Sequence, residues 1–257
     1  MAFEKVKIFK GEKNSGIILI HGWTANPRQF YSLAKMLNKA GYWVFLPLLS
    51  GHGTKPEDLE RMRWQVWLND VIENIDFVNN GYNFDQVFLG GISLGGNLSL
   101  LASLERKIDG IFLLGTPVHL KNHFWLWIGS KILLLFKKYV IKKYPKNTAS
   151  SIPGNHSYAK FSIRSGRECL RAIRRSALKL HKVTAPVLII QTNTDYLVAK
   201  YSPWVIYNRI KSKIKKLQWI QSKHSSHTLI RSETKDFFSV IYNFILELEH
   251  KQEDKIK

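Results

Sequence analysis

The sequence predicts an α/β fold with a mainly parallel central sheet and helices on both of its faces. Three observations predict it: short apolar runs such as Ile17-Ile18-Leu19-Ile20, helical periodicity in the stretches between them, and short connections throughout. A continuous apolar run marks a strand buried on both faces, whereas a strand with one wet face alternates. The 257 residues allow one large domain, and a hydrophobic content of 45% is enough to fill its core.

In chain order, Val6 to Phe9 alternate weakly, and Gly16 to Ile20 read as a buried strand ending at His21-Gly22. Pro27 to Ala40 reads as a helix with Phe30, Leu33, Leu37 and Ala40 on one face, stopped by Gly41. Trp43 to Leu46 is the next strand, closed by Pro47. The loop Leu49 to Asp58 carries Gly51-His52-Gly53 and leads into a helix from about Arg63 to Asn79, where Trp67, Val71, Ile75 and Val78 form a stripe. Val87-Phe88-Leu89 is a strand, Leu94 to Leu104 a helix and Ile111 to Leu114 a strand. The alternation resumes with Pro186 to Gln191 (strand), Trp204 to Ile210 (helix), Leu217 to Ile220 (strand) and Lys235 to Leu248 (helix), the last with Phe237, Ile241, Phe244 and Leu248 inward. The tail from His250 is expected to fray.

Charge is unevenly spread. The formal net charge is +20, and Lys121 to His181 holds 14 Lys and Arg against Glu168 alone, so this segment carries +13 of it. It also breaks the strand–helix rhythm. The expected organisation is an α/β core over 1–117 and 182–257, with 118–181 as a basic, aromatic-rich insertion. Within it, an apolar patch from Phe124 to Phe136 stands beside Lys137-Lys138 and Lys142-Lys143, the pattern either of a cap over an apolar pocket or of a surface that contacts anionic membrane. The apolar stretch is interrupted by Gly129-Ser130-Lys131 and falls short of the roughly 20 residues that cross a bilayer. Cys169 is the only cysteine, so no internal disulfide can form, and residues 1–13 lack a signal-peptide core. A cytoplasmic address follows, with peripheral membrane contact left open. No helix-turn-helix, zinc-finger or RNA-binding signature accompanies the charge, so no specific nucleic-acid partner is expected.

The chemistry centres on Gly91-Ile92-Ser93-Leu94-Gly95, a G-x-S-x-G pentapeptide with a strand before it and a helix after it. A turn that sharp strains the serine backbone and leaves no room for side chains two residues either side, hence the glycines. It presents Ser93 at the carboxyl end of the sheet, where open α/β sheets bind ligands. A serine hydroxyl needs a base to take its proton and a carboxylate to hold that base, in the order Ser, acid, His. Between Ser93 and His227 lie four carboxylates: Glu105, Asp109, Glu168 and Asp195. The first two belong at the far end of the helix after Ser93, and Glu168 reads as a surface ion pair among Arg164, Arg167 and Arg171. Asp195, four residues past a strand, is the candidate acid. Of nine histidines, His224 and His227 follow the last strand; His227 is the candidate base and His224 the reserve. The Trp23 N–H, in the loop after the first buried strand, and the Leu94 N–H are the candidate oxyanion donors, each worth roughly 2.7–4 kcal/mol in the transition state. His21 and His52 read as structural, pinning their loops.

The combination of His21-Gly22-Trp23-Thr24, Gly51-His52-Gly53-Thr54, Gly91-Ile92-Ser93-Leu94-Gly95-Gly96, Asp195-Tyr196-Leu197-Val198 and Ser226-His227 resembles the bacterial carboxylesterase and monoacylglycerol lipase branch of the α/β-hydrolase superfamily. The resemblance runs from about Gly16 to Leu248 and is weakest inside the insertion. It implies an α/β-hydrolase fold with a helical cap, acting on short- to medium-chain acyl esters or monoacylglycerol-like lipids, with no metal or organic cofactor. It also supports His227 over His224. The rival readings are a serine peptidase of the proline iminopeptidase kind and a catalytically silent member that binds a lipid or small molecule.

Overall fold

The computed structural model describes residues 6–121, 137–142, 157–222, 227 and 234–256. Its centre is a seven-stranded sheet built from β1 (Val6–Phe9), β2 (Ser15–Ile20), β3 (Trp43–Pro47), β4 (Gln86–Ile92), β5 (Gly110–Leu114), β8 (Val187–Thr192) and β9 (Lys215–Ile220). The order across the sheet is β1-β3-β2-β4-β5-β8-β9, with β1 antiparallel to β3 and every other pairing parallel. This is the α/β-hydrolase fold.

Both faces are dry, as the continuous apolar strands require. Along β2, Ile18 and Ile20 join one buried cluster while Ile17 and Leu19 join the other. The second cluster is closed by α1 (Tyr31–Lys39), through Leu33 and Leu37, and by the long C-terminal helix α7 (Thr234–Ile256), through Phe237, Ile241, Phe244 and Leu248. The first is closed by α3 (Trp64–Gly81), with Trp67, Val71, Ile75 and Val78 buried, by α4 (Leu94–Ala102) and by α5 (Ile163–Lys179). Each of these stripes follows the 3.6-residue period, and each fully buried Leu, Ile or Phe contributes roughly 1.5–3 kcal/mol.

The segment 118–181 has two parts of different character among the described residues. The helix α5 buries Cys169, Leu170, Ala172 and Ile173 in the same cluster as the sheet and packs mainly against α4 and α3. Ahead of it, β6 (Tyr139–Ile141) and β7 (Lys160–Ser162) form a two-stranded antiparallel ribbon. The ribbon is tied to the short helix α2 (Pro56–Glu60) by the Lys138–Glu60 and Lys160–Glu57 ion pairs and by Tyr139 Oη donating to Glu60. The patch Phe124–Phe136 lies outside the described residues.

Three local expectations change. The strand β4 continues through Gly90 and Gly91, because β2 and β5 pair with it on both sides to the end. The loop after β3 contains α2, with proline in its first turn followed by Glu57 and Asp58 at the positive end of the helix. The C-terminal helix does not fray at His250 but runs to Ile256, with Lys251 paired to Glu247 one turn back. The helix Ser202–Arg209, α6, lies close to its predicted place.

Candidate active site

Ser93 is the single residue between β4 and α4, and its backbone has φ 53° and ψ −116°. A non-glycine residue reaches positive φ at a cost of order 1–3 kcal/mol, which the surrounding structure must hold in place. It does so through the Ser93 N–H, which donates to Leu114 O on the neighbouring strand at 2.9 Å. Close packing explains the flanking glycines: a Cβ at Gly91 would lie 2.2 Å from the Gly95 carbonyl carbon, and one at Gly95 would lie 2.1 Å from Ile20 O.

Three side chains past the carboxyl ends of three parallel strands meet here. Asp195 follows β8 and His227 follows β9. His227 Nδ1–H donates to Asp195 Oδ2 at 3.1 Å, which leaves Nε2 to accept the Ser93 hydroxyl proton at 2.9 Å. Asp195 is 4% exposed. Its Oδ1 accepts from the Leu197 and Val198 N–H groups at 2.8 and 2.9 Å, and its Oδ2 also accepts from Gln191 Nε2 at 3.0 Å. Burial by itself would raise this carboxyl, but the neighbouring imidazole and the two backbone donors outweigh it and hold Asp195 below its ordinary value. Asp195 is therefore a charged, fully coordinated carboxylate.

The rejected carboxylates sit elsewhere. Asp109 Oδ2 accepts from the Val87 N–H at the opposite end of β4. Glu168 does pair with Arg171, yet it is buried rather than on the surface, because its other oxygen accepts the Trp64 N–H at the start of α3. His224, the reserve base, lies outside the described residues.

The loop after β2 is fixed from several sides. His21 accepts the Leu49 N–H at Nε2 and donates from Nδ1 to Gly22 O, joining this loop to the one after β3. Gln29 Oε1 takes the Gly22 N–H at 2.9 Å. Thr24 has φ 64°, its hydroxyl donates to Trp23 O, and its carbonyl accepts the Tyr158 N–H at 3.0 Å. Neither the Trp23 N–H nor the Leu94 N–H has a hydrogen-bond partner among the described residues. From the 118–181 segment, Lys142 Nζ reaches Thr24 Oγ1 and Ser157 Oγ, and burial lowers the lysine to about 8. Tyr158 Oη bridges the second loop, donating to Gly51 O and accepting from the Thr54 N–H.

The model of the family described as serine aminopeptidase S33 matches residues 11–234, most of the chain. The chain belongs to this family. Within the serine aminopeptidase S33 family it is a serine hydrolase similar to carboxylesterases and monoacylglycerol lipases. It is 23% identical over 242 residues to a carboxylesterase of Bacillus subtilis, covering 94% of this chain and 96% of that protein. It is 27% identical over 215 residues to a thermostable monoacylglycerol lipase of a Bacillus species, covering 83% and 84%. Among solved structures, a metagenome-derived lipolytic enzyme superposes with a TM-score of 0.82 at 22% identity, covering 95% of this chain and 97% of that one. The monoacylglycerol lipase of Paleococcus ferrophilus gives 0.76 at 17% identity, covering 95% and 98%.

Some residues that shape this family member's site carried no signal in the sequence. Gln191 read only as the end of a strand, and Lys142 as one of the 14 cations of its segment. Among the described residues no group of three or more His, Cys, Asp or Glu could hold a metal ion, and no helix is long and apolar enough to cross a membrane.

Proposed function

We propose that the protein hydrolyses carboxylic esters, of short to medium acyl chain or of the monoacylglycerol kind, with Ser93 as nucleophile, His227 as general base and Asp195 as the acid that orients it. The observation that carries this reading is the unbroken hydrogen-bond chain from Ser93 Oγ through the imidazole to Asp195. His227 Nε2 takes the hydroxyl proton as Ser93 Oγ attacks the ester carbonyl, and the imidazolium formed is stabilised by the Asp195 carboxylate. The negative charge on the carbonyl oxygen falls to the Trp23 and Leu94 N–H groups, main-chain donors with no other partner among the described residues. Proton return from His227 releases the alcohol, and water activated by the same imidazole releases the acid.

An aminopeptidase reading competes, since the family carries that description. An aminopeptidase must hold a free α-ammonium, which calls for an uncommitted carboxylate near the nucleophile. The 118–181 segment has one carboxylate, Glu168, and it is already held by Arg171 and the Trp64 N–H. That segment is cationic, which disfavours an ammonium substrate and favours an ester. In this reading the part of 118–181 before α5 forms the cap, and α5 packs onto the core made by 1–117 and 182–257. The apolar patch 124–136 with the lysines that follow it, apart from Lys142 half-buried against Thr24, supports peripheral contact with anionic membrane.

A fluorophosphonate probe should label the protein and fail to label Ser93→Ala. Turnover of p-nitrophenyl esters without turnover of amino-acid anilides is the expected pattern. Anilide turnover alone would replace the esterase reading with the peptidase one.

A further inference from the structure

A groove of about 790 Å³ lies between the start of α3 and the first half of α5. Arg61, Arg63, Arg164, Arg167 and Arg171 line it, against the single carboxylate of Glu168. Its lining shares no residue with the Ser93–His227–Asp195 constellation or with the loop after β2. The volume lies in the range of small-molecule sites, and its walls combine guanidinium groups with the apolar faces of Met62 and Trp64.

The placement of these arginines runs against helix electrostatics. The N-terminus of a helix carries partial positive charge and favours acidic residues. Here Arg63 is the N-cap of α3, Arg164 stands in the first turn of α5, and neither first turn holds an acidic residue. Two positive helix ends and five guanidiniums converge on one space. Glu168 is already held by Arg171 and the Trp64 N–H, and at the start of α5 the Ser162 hydroxyl accepts only the Ser165 N–H. Arg61, Arg63 and Arg164 form no ion pair among the described residues. Three guanidiniums without an ion pair, set beside two positive helix ends, favour an anion in the groove.

We propose that this groove binds a phosphate-bearing ligand, a phosphomonoester or pyrophosphate group carried by a small soluble molecule or by a lipid headgroup. Glu168 meets Arg171 through Oε1 alone, its other oxygen being held by the Trp64 N–H. Several forks facing one space call for a group with at least two charges and several acceptor oxygens, and planar guanidinium pairs with phosphate through two parallel hydrogen bonds. The site is independent of the ester-hydrolase reading, because it is tested by binding.

The test is calorimetric titration of the full chain with inorganic pyrophosphate at about 50 mM salt, where phosphate contacts are strong. Arg63→Gln/Arg164→Gln should weaken binding at least about tenfold, while Arg174→Gln/Arg175→Gln should change it by less than about threefold. The second pair removes the same charge from the exposed face of α5 outside the groove. Turnover of a p-nitrophenyl ester and the thermal midpoint report whether each variant is folded, and Arg61→Gln alone repeats the test should the first double variant fail. Equal losses in the two double variants, or no binding by the wild type, overturn the proposal. Co-sedimentation with phosphatidylcholine vesicles containing phosphatidic acid separates the sources. Co-sedimentation lost only with the groove arginines assigns a lipid headgroup, and pyrophosphate binding without it assigns a soluble ligand.

Discussion

Lys142 Nζ donates a hydrogen bond to Thr24 Oγ1, so a lysine of the basic segment holds the loop that carries the Trp23 N–H. Thr24 needs holding. It is a β-branched residue at φ 64°, in a region such residues rarely enter. Its hydroxyl passes the contact on to Trp23 O.

Lys142→Met tests what that contact contributes. Burial lowers the lysine from 10.5 to about 8, and no carboxylate contacts it among the described residues, so its charge costs folding energy at neutral pH. The unfolded chain keeps its proton up to 10.5 and the folded one only to about 8, so this cost is full below pH 8 and fades between 8 and 10.5. The variant should therefore gain about 3 kcal/mol relative to the wild type between pH 10.5 and pH 7, set against the hydrogen bonds to Thr24 and Ser157 that it lacks at both. Its kcat should fall about tenfold with KM little changed, because a mispositioned oxyanion donor is felt in the transition state. Denaturant titrations at the two pH values and steady-state kinetics check both halves. An unchanged kcat would mean the loop keeps its shape without the lysine.

Gln191 and Asp195 give a graded series. Asp195→Asn should lower kcat by roughly 10³–10⁴, since an amide cannot hold the imidazole in the tautomer that accepts from Ser93. Gln191→Leu removes one of two donors on Oδ2 and leaves Oδ1 with both backbone bonds, so a loss of about tenfold is expected. Ester hydrolysis rates that place Gln191→Leu below Asp195→Asn would reverse this assignment of roles.

What was legible in the sequence depended on how local the constraint is. The turn at Ser93 is decided within seven residues, so its glycines could be read directly. Asp195 is read by eliminating three other carboxylates, and His227 is preferred to His224 among the two histidines after the last strand, with the family resemblance in support. Lys142 was hidden because its position depends on the pairing of β6 with β7 and on the docking of that ribbon near Thr24. The buried face of α5 was hidden by composition: Leu170, Ala172 and Ile173 alternate with arginines, and the charge drew more notice than the period. The helix α2, five residues long, is shorter than any window that reveals a stripe.

Gly95→Ala and Gly81→Ala should move stability in opposite directions. A Cβ at Gly95 meets Ile20 O at 2.1 Å, and Ile20 cannot retreat because it ends β2 in register with Gly91. A loss of about 1–3 kcal/mol or more is expected, with activity falling further because the strained turn at Ser93 shifts. Gly81 ends α3, and a Cβ there would meet nothing within 4 Å, so alanine should gain about 0.4–1 kcal/mol by restricting the unfolded chain. Thermal midpoints of the two variants decide it.

His21 and His52 make the fold acid-sensitive in a window of their own. Their rings meet edge to face at 4.9 Å, and both are buried. Burial lowers His21 to about 4, and burial together with the neighbouring His21 takes His52 well below 6.5. In the unfolded chain both take up protons near 6.5, whereas in the folded chain His21 refuses its proton until about 4 and His52 is likewise held well below 6.5. The unfolded state thus binds more protons between those values, and stability falls as pH drops from 6.5 to 4, by up to about 3 kcal/mol from His21. Asp195 is depressed instead, so its contribution is present above 3.8 and is lost only at lower pH, outside this window. Urea midpoints of the wild type should decline between pH 6.5 and 4. His21→Gln/His52→Gln should start lower at pH 7, having lost the bonds to Leu49 N–H and Gly22 O, yet stay nearly flat across the window. A variant that declines as steeply as the wild type would assign the acid sensitivity to other groups.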